Sequence, residues 1–121
     1  MTAIAAVAVA VPAAGGSSDP ARAKKTTVKV GDDYFAPTKV EIKAGNEVRF
    51  RWLYSNLNTH NVKLTSDHPK RVKPKDFKSA SGSIGIKFSP KFKVPGNYGF
   101  LCTFHRTMMK MDVMVRRPAN D

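Results

Sequence analysis

The chain of 121 residues carries 21 Lys and Arg against 9 Asp and Glu, a formal net charge of +12, and its isoelectric point is near 10.2. That length bounds the protein to one small domain, and a single cysteine excludes an intramolecular disulfide. The charge is read as a solvated surface or as steering toward an acidic partner or an anionic cell envelope. It does not point to nucleic acid, because neither basic-aromatic interleaving nor a nucleic-acid motif is present.

In chain order, residues 1–25 come first and differ from everything after them. Ala3 to Val11 is an unbroken apolar run, and Pro12 to Pro20 is small and flexible. This reads as the apolar core and cleavage region of a secretory signal, without the Lys or Arg that ordinarily precedes one. The run is too short to cross a bilayer as a helix. The expectation is an exported protein, periplasmic, envelope-held or secreted, with no transmembrane span. A domain at residues 26–117 and a tail at 118–121 complete the layout.

From Thr26 onward the pattern is β. Thr26 to Val30 alternates and Gly31-Asp32-Asp33 ends it. Val40 and Ile42 point one way while Lys39, Glu41 and Lys43 point the other, and Gly45-Asn46 turns the chain into Glu47 to Tyr54. There Val48, Phe50 and Trp52 form an apolar face, with Arg49 and Arg51 toward solvent. His60 to Leu64 reads as a short strand. Thr65 to Ser83 is an irregular excursion with a helical turn near Pro74 to Phe77. Ile84, Ile86 and Phe88 share a face in a strand that resumes at Phe92 and Val94 after Pro90. Pro95-Gly96-Asn97 turns into Tyr98 to Cys102, and Lys110 to Arg116 closes the sheet. Seven to eight short strands with frequent turns predict an all-β, two-sheet Greek-key sandwich.

The densest chemistry lies between the last two strands. Tyr98-Gly99-Phe100-Leu101-Cys102-Thr103-Phe104-His105-Arg106-Thr107-Met108-Met109 brings the one cysteine, an imidazole and a thioether together. His60 upstream supplies a second imidazole. Thiolate and thioether suit Cu(I) and imidazole suits either oxidation state, so a His2Cys set with a weak axial Met is the signature of type 1 copper. Met108, Met109 and Met111 all lie near enough to be the thioether. Period-2 register puts Met109, Met111, Val113 and Val115 on one strand face, and Met108, Lys110, Asp112 and Met114 on the other. Zn(II) is a competing occupant of Cys102, His60 and His105. His68, in a polar loop beside Pro69, reads as a solvated histidine.

These residues resemble the cupredoxins, small blue copper proteins of the plastocyanin, amicyanin and pseudoazurin type. The resemblance spans residues 26–116 and is carried by the Cys102-x-x-His105 loop with its Met, by His60-Asn61-Val62, and by Tyr34-Phe35-Ala36-Pro37 through Val48. It implies one copper per chain, with His60, Cys102 and His105 as equatorial ligands. It also implies an Asn61 backbone amide directed at the cysteine sulfur. The family pattern Met-x-Gly-x-Val-x-Val aligns with Met109 to Val115 and makes Met109 the axial ligand, with Met108 second. Two departures stand out: Met111 where glycine is common, and Arg106 where proline often follows the histidine.

The function this implies is single-electron transfer between redox partner proteins by a monomer. Arg106, beside His105, suits partners with an acidic docking surface. The alternatives are copper storage or delivery, using Met108 and Met111 as a soft path, and a metal-free polyanion-binding β module. An enzyme is not expected, because multicopper oxidases and nitrite reductases need further histidine clusters and only three histidines occur.

Overall fold

Alternation of apolar and charged residues builds the framework. In the computed structural model, which describes residues 25–118, β1 (Lys25–Gly31) pairs antiparallel with β2 (Tyr34–Ala36) and parallel with β4 (Asn46–Trp52). β6 (Lys87–Phe88) and β7 (Lys91–Phe92) both pair with β4, completing a five-stranded sheet. The second sheet runs in the order β3 (Lys39–Lys43), β9 (Lys110–Arg116), β8 (Gly96–Leu101), β5 (Lys63–Leu64). Among the described residues the expected sandwich therefore has nine strands rather than seven to eight. The extra count arises from the short β2 hairpin and from Pro90, which splits one expected strand into β6 and β7. The proposed signal segment and C-terminal tail lie outside the described residues, apart from their inner ends.

The core sits between the sheets. β4 contributes Val48, Phe50 and Trp52, and β9 contributes Met111, Val113 and Val115, all buried. Each such side chain stabilises the fold by roughly 1.5–3 kcal/mol. Phe50 of one sheet meets Phe100 of the other with ring centroids 5.6 Å apart, and Phe92 meets Tyr98 edge-on at 4.8 Å. The 3-10 turn Pro74–Phe77 interrupts the excursion where expected and inserts Phe77 against Phe92 at 5.1 Å.

Two strand expectations change. Only Lys63 and Leu64 of the expected His60 to Leu64 strand join a ladder. His60 instead exchanges backbone bonds with Gly82, while Val62 pairs with Ser79 through both backbone and hydroxyl. Ile84 is half exposed at 50%, and the strand starts only at Lys87, because Gly85 turns the backbone to φ 75°. The result is that residues 60–62 leave regular pairing, with the His60 side chain fully buried.

Candidate metal centre

Cys102 follows the last residue of β8, and a loop held by its own backbone carries the chain to β9. His105 N–H donates to Cys102 O at 3.2 Å, Met109 N–H to His105 O at 2.9 Å, and Cys102 N–H to Met109 O at 3.1 Å. The loop is thereby closed on itself, with Arg106, Thr107 and Met108 outside. Met109 is fully buried whereas Met108 is 66% exposed, and Met111 packs in the core at 2%.

His60 enters from the other side of the site. Its backbone is fixed by Gly82 in both directions, and the Trp52 indole N–H donates to Gly82 O at 3.1 Å. His60 and Cys102 are both completely buried, whereas the His105 side chain keeps 23% of its surface. The two imidazoles lie with ring centroids 5.2 Å apart. One donor atom from each of His60, Cys102 and His105 lies within 4.8 Å of the others, and Cys102 Sγ is 3.7 Å from His105 Nδ1. His68 stands apart from this cluster, with its Nδ1 2.8 Å from Pro69 O.

Whether these residues suit a metal is decided by an orphan. His60 Nδ1 is buried without any hydrogen-bond partner, which ordinarily costs about 1–3 kcal/mol. Its other nitrogen, Nε2, donates to Asp32 Oδ1 at 2.9 Å, so Nδ1 is left with a free lone pair beside the thiol. Three donors about 2 Å from one ion in a trigonal plane would lie roughly 3.5 Å apart, close to the sulfur-nitrogen distance found here. A thiol and two imidazoles are the donor chemistry of copper.

The carboxylates around this cluster were not foreseen, since Asp32 and Asp33 read only as a turn after β1. The turn in fact reaches both histidines. Asp32 also accepts the backbone N–H of Leu57 at 2.9 Å and of Asn58 at 3.0 Å. The His60 bond, and then these two amides, lower the Asp32 carboxyl from its ordinary 3.8 to about 2. Asp33 Oδ1 lies 2.9 Å from His105 Nε2, within ion-pair range, but it is buried without an aligned hydrogen bond. Nothing local in the sequence links that turn to either histidine; the one available signal was a pair of acids in a strongly basic chain. The hydrogen bonds of Asn61 beside the site run through its side chain, to Thr103, a contact equally unforeseen.

Residues 22–116 match the family model of copper binding proteins, plastocyanin/azurin family. The chain is 34% identical over 95 residues to amicyanin-alpha of Methylorubrum extorquens, covering 78% of this chain and 75% of that protein. Among solved structures it is similar to the amicyanin of Paracoccus versutus, with a TM-score of 0.62, 24% identity and coverage of 82% of this chain and 86% of that one. Pseudoazurin from Methylobacterium extorquens AM1 superposes with a TM-score of 0.59 and 24% identity, over 77% and 76% of the two chains. At that identity the two structures speak to the fold alone. The family match, together with the buried thiol and two converging imidazoles, makes the cofactor a single copper. The chain thus belongs to the copper-binding plastocyanin/azurin family.

Proposed function

We propose that the protein carries single electrons between redox partner proteins, using His60, Cys102 and His105 as equatorial copper ligands and Met109 as the weak axial one. The observation that carries this reading is the asymmetry of the donors: Cys102 and His60 are sealed from solvent, and His105 alone reaches the surface. Bound there, copper supplies a one-electron couple in a site whose ligands suit both oxidation states. The chain's own residues supply rigidity: the loop closure between Cys102 and Met109 and the His60–Gly82 pairing hold the donors in place. Burial of Met109 supports it over the exposed Met108 as the fourth donor. With only three histidines in the chain, no further copper cluster can be assembled for oxidase or reductase chemistry, so the role is that of a carrier and not an enzyme.

A basic row on the five-stranded sheet supports a partner with an acidic docking surface, and the carrier is proposed to act as a monomer. On the outer face of the five-stranded sheet, Lys29 pairs in register with Arg51, and Arg51 with Lys87. Like charges directly opposite one another are unfavourable. Among the described residues the only Lys or Arg ion pair is Arg116–Glu41, so this row has no internal acid to offset it. A partner carboxylate surface would relieve it and speed encounter. The apolar segment at Ala3 to Val11 supports export to the periplasm, envelope or exterior. No helix among the described residues is long and apolar enough to cross a membrane.

Copper delivery is less well supported, because Met111 packs in the core and a soft path outward is left with Met108 alone. The test is the visible spectrum of the protein titrated with Cu(II) and then reduced with ascorbate. An intense blue thiolate band at one equivalent, bleached reversibly and retained against a modest chelator, is the expected result. Weak binding, or release of copper to an acceptor, would overturn the carrier reading.

A further inference from the structure

We propose that Asp32 and Asp33 act together as positioning residues for the two imidazole donors, one carboxylate behind each ring, supplied by consecutive residues of a single turn. The proposal rests on the copper reading above. In a strand, successive side chains point to opposite faces, so neighbouring acids could not serve one site. Here the turn after β1 breaks that alternation. Asp33 adopts φ 69°, a left-handed conformation that Asp and Asn tolerate better than most residues, and both carboxylates end at the copper site.

The two contacts share a distance and differ in quality. Asp32 Oδ1 takes an aligned bond from His60 Nε2 at 2.9 Å while Leu57 and Asn58 amides fix the carboxylate from behind. Asp33 Oδ1 is 2.9 Å from His105 Nε2 and is buried without any aligned hydrogen bond; His105 Nε2 is the group at ion-pair distance that is placed to satisfy it. A Cβ at Gly31 would lie 2.2 Å from the Tyr34 ring, so a larger residue there would displace that exposed side chain.

A carboxylate behind a ligating imidazole fixes the proton on the far nitrogen, orients the ring and makes the near nitrogen a stronger donor. Two of them place two negative charges beside the ion, which favours Cu(II) over Cu(I) and so lowers the reduction potential. Asp33 has a second effect. It covers the Nε2 edge of His105, the one donor ring with exposed surface, so the ring is held against swinging outward.

The experiment uses the full chain in metal-free and copper-loaded forms, with variants Asp33→Asn, Asp33→Gly and Asp32→Asn. Glycine is chosen because it tolerates positive φ, which separates loss of the carboxylate from loss of the turn. Nitrogen-15 NMR of the metal-free protein reads the tautomers, and voltammetry of the copper form reads the potential. The wild type is expected to hold His60 and His105 with the proton on Nε2. Asp33→Gly should give His105 as a mixture, weaken Cu(II) binding about 10–100-fold and raise the potential. Asp33→Asn should restore the tautomer while the potential stays raised, and Asp32→Asn should raise it as well. Unchanged tautomer and potential in both Asp33 variants would overturn the proposal. Lack of a blue band in the wild type would sink the copper reading alone, since the metal-free tautomers still decide whether the carboxylates set the rings.

Discussion

Asn61 and Thr103, each the residue immediately after a proposed copper ligand, are bonded to one another in both directions. The Asn61 amide donates to Thr103 Oγ1 at 3.0 Å, and the Thr103 backbone N–H donates to Asn61 Oδ1 at 2.8 Å. This pair joins the His60 segment to the Cys102 loop. Asn61→Ala leaves the Thr103 N–H without its acceptor, and is expected to cost about 1–3 kcal/mol, read by denaturant unfolding of the metal-free protein. Thr103→Val keeps the backbone bond and should cost less. Equal losses for the two would show that the backbone bond is not the dominant contact.

Met109 and Met108 give a paired prediction. Met109→Leu removes a buried thioether while preserving volume, so the blue band should persist while the potential rises by about 59 mV for each tenfold change in relative Cu(II) and Cu(I) affinity. Met108→Leu, on the exposed side of the loop, should leave band and potential as they were. If Met108→Leu alone moved the potential, the axial assignment would pass to Met108.

Acid stability of the metal-free protein should depend on Asp32. Its folded pKa is depressed from 3.8 to about 2 by the His60 bond and the two amides. A depressed carboxylate contributes stability that is present above the unfolded value and lost as pH falls through the folded one. Unfolding free energy is therefore expected to decline between about pH 4 and pH 2, and Asp32→Asn should flatten that part of the profile. An identical slope in the variant would place the acid sensitivity elsewhere.

Tyr98 tests the core between the sheets. Its hydroxyl donates to Val94 O at 2.6 Å, and burial pushes its pKa above the ordinary 10.0. A raised pKa for an acid means stability present below the unfolded value and lost as pH rises through the folded one. Tyr98→Phe is expected to cost about 1–2 kcal/mol near neutrality and to remove the alkaline decline above pH 10, as followed by thermal unfolding against pH.

The basic face predicts a salt-dependent reaction. Electron transfer to an acidic redox protein should slow with ionic strength, and Arg51→Glu should slow it several-fold more than Lys43→Glu on the other sheet. Stopped-flow rates at two salt concentrations decide this. Equal effects of the two reversals would remove the row Lys29, Arg51, Lys87 from docking.

What the sequence determined by itself was whatever is written in local spacing. Alternation in residues 39–43, 47–52 and 110–116 specified strands and their buried faces, because a period of two leaves one choice of inward side. Cys102, His105 and Met109 fall in one short loop, so the proposed donors there were legible as a group, and period-2 register put Met109 on the face that is buried. The tertiary structure decided the rest. His60 to Val62 leave the ladder because Gly82 and Ser79 capture their backbone groups, a pairing no local pattern encodes. Asp32 and Asp33 stand behind the two imidazoles, and Asn61 meets Thr103, only because the parallel pairing of β1 with β4 and the joining of β5 to β8 bring three distant segments to one end of the sandwich. Side-chain type can be read residue by residue, but convergence of hydrogen-bonding groups on a shared centre depends on long-range register, which the packed sheets alone impose.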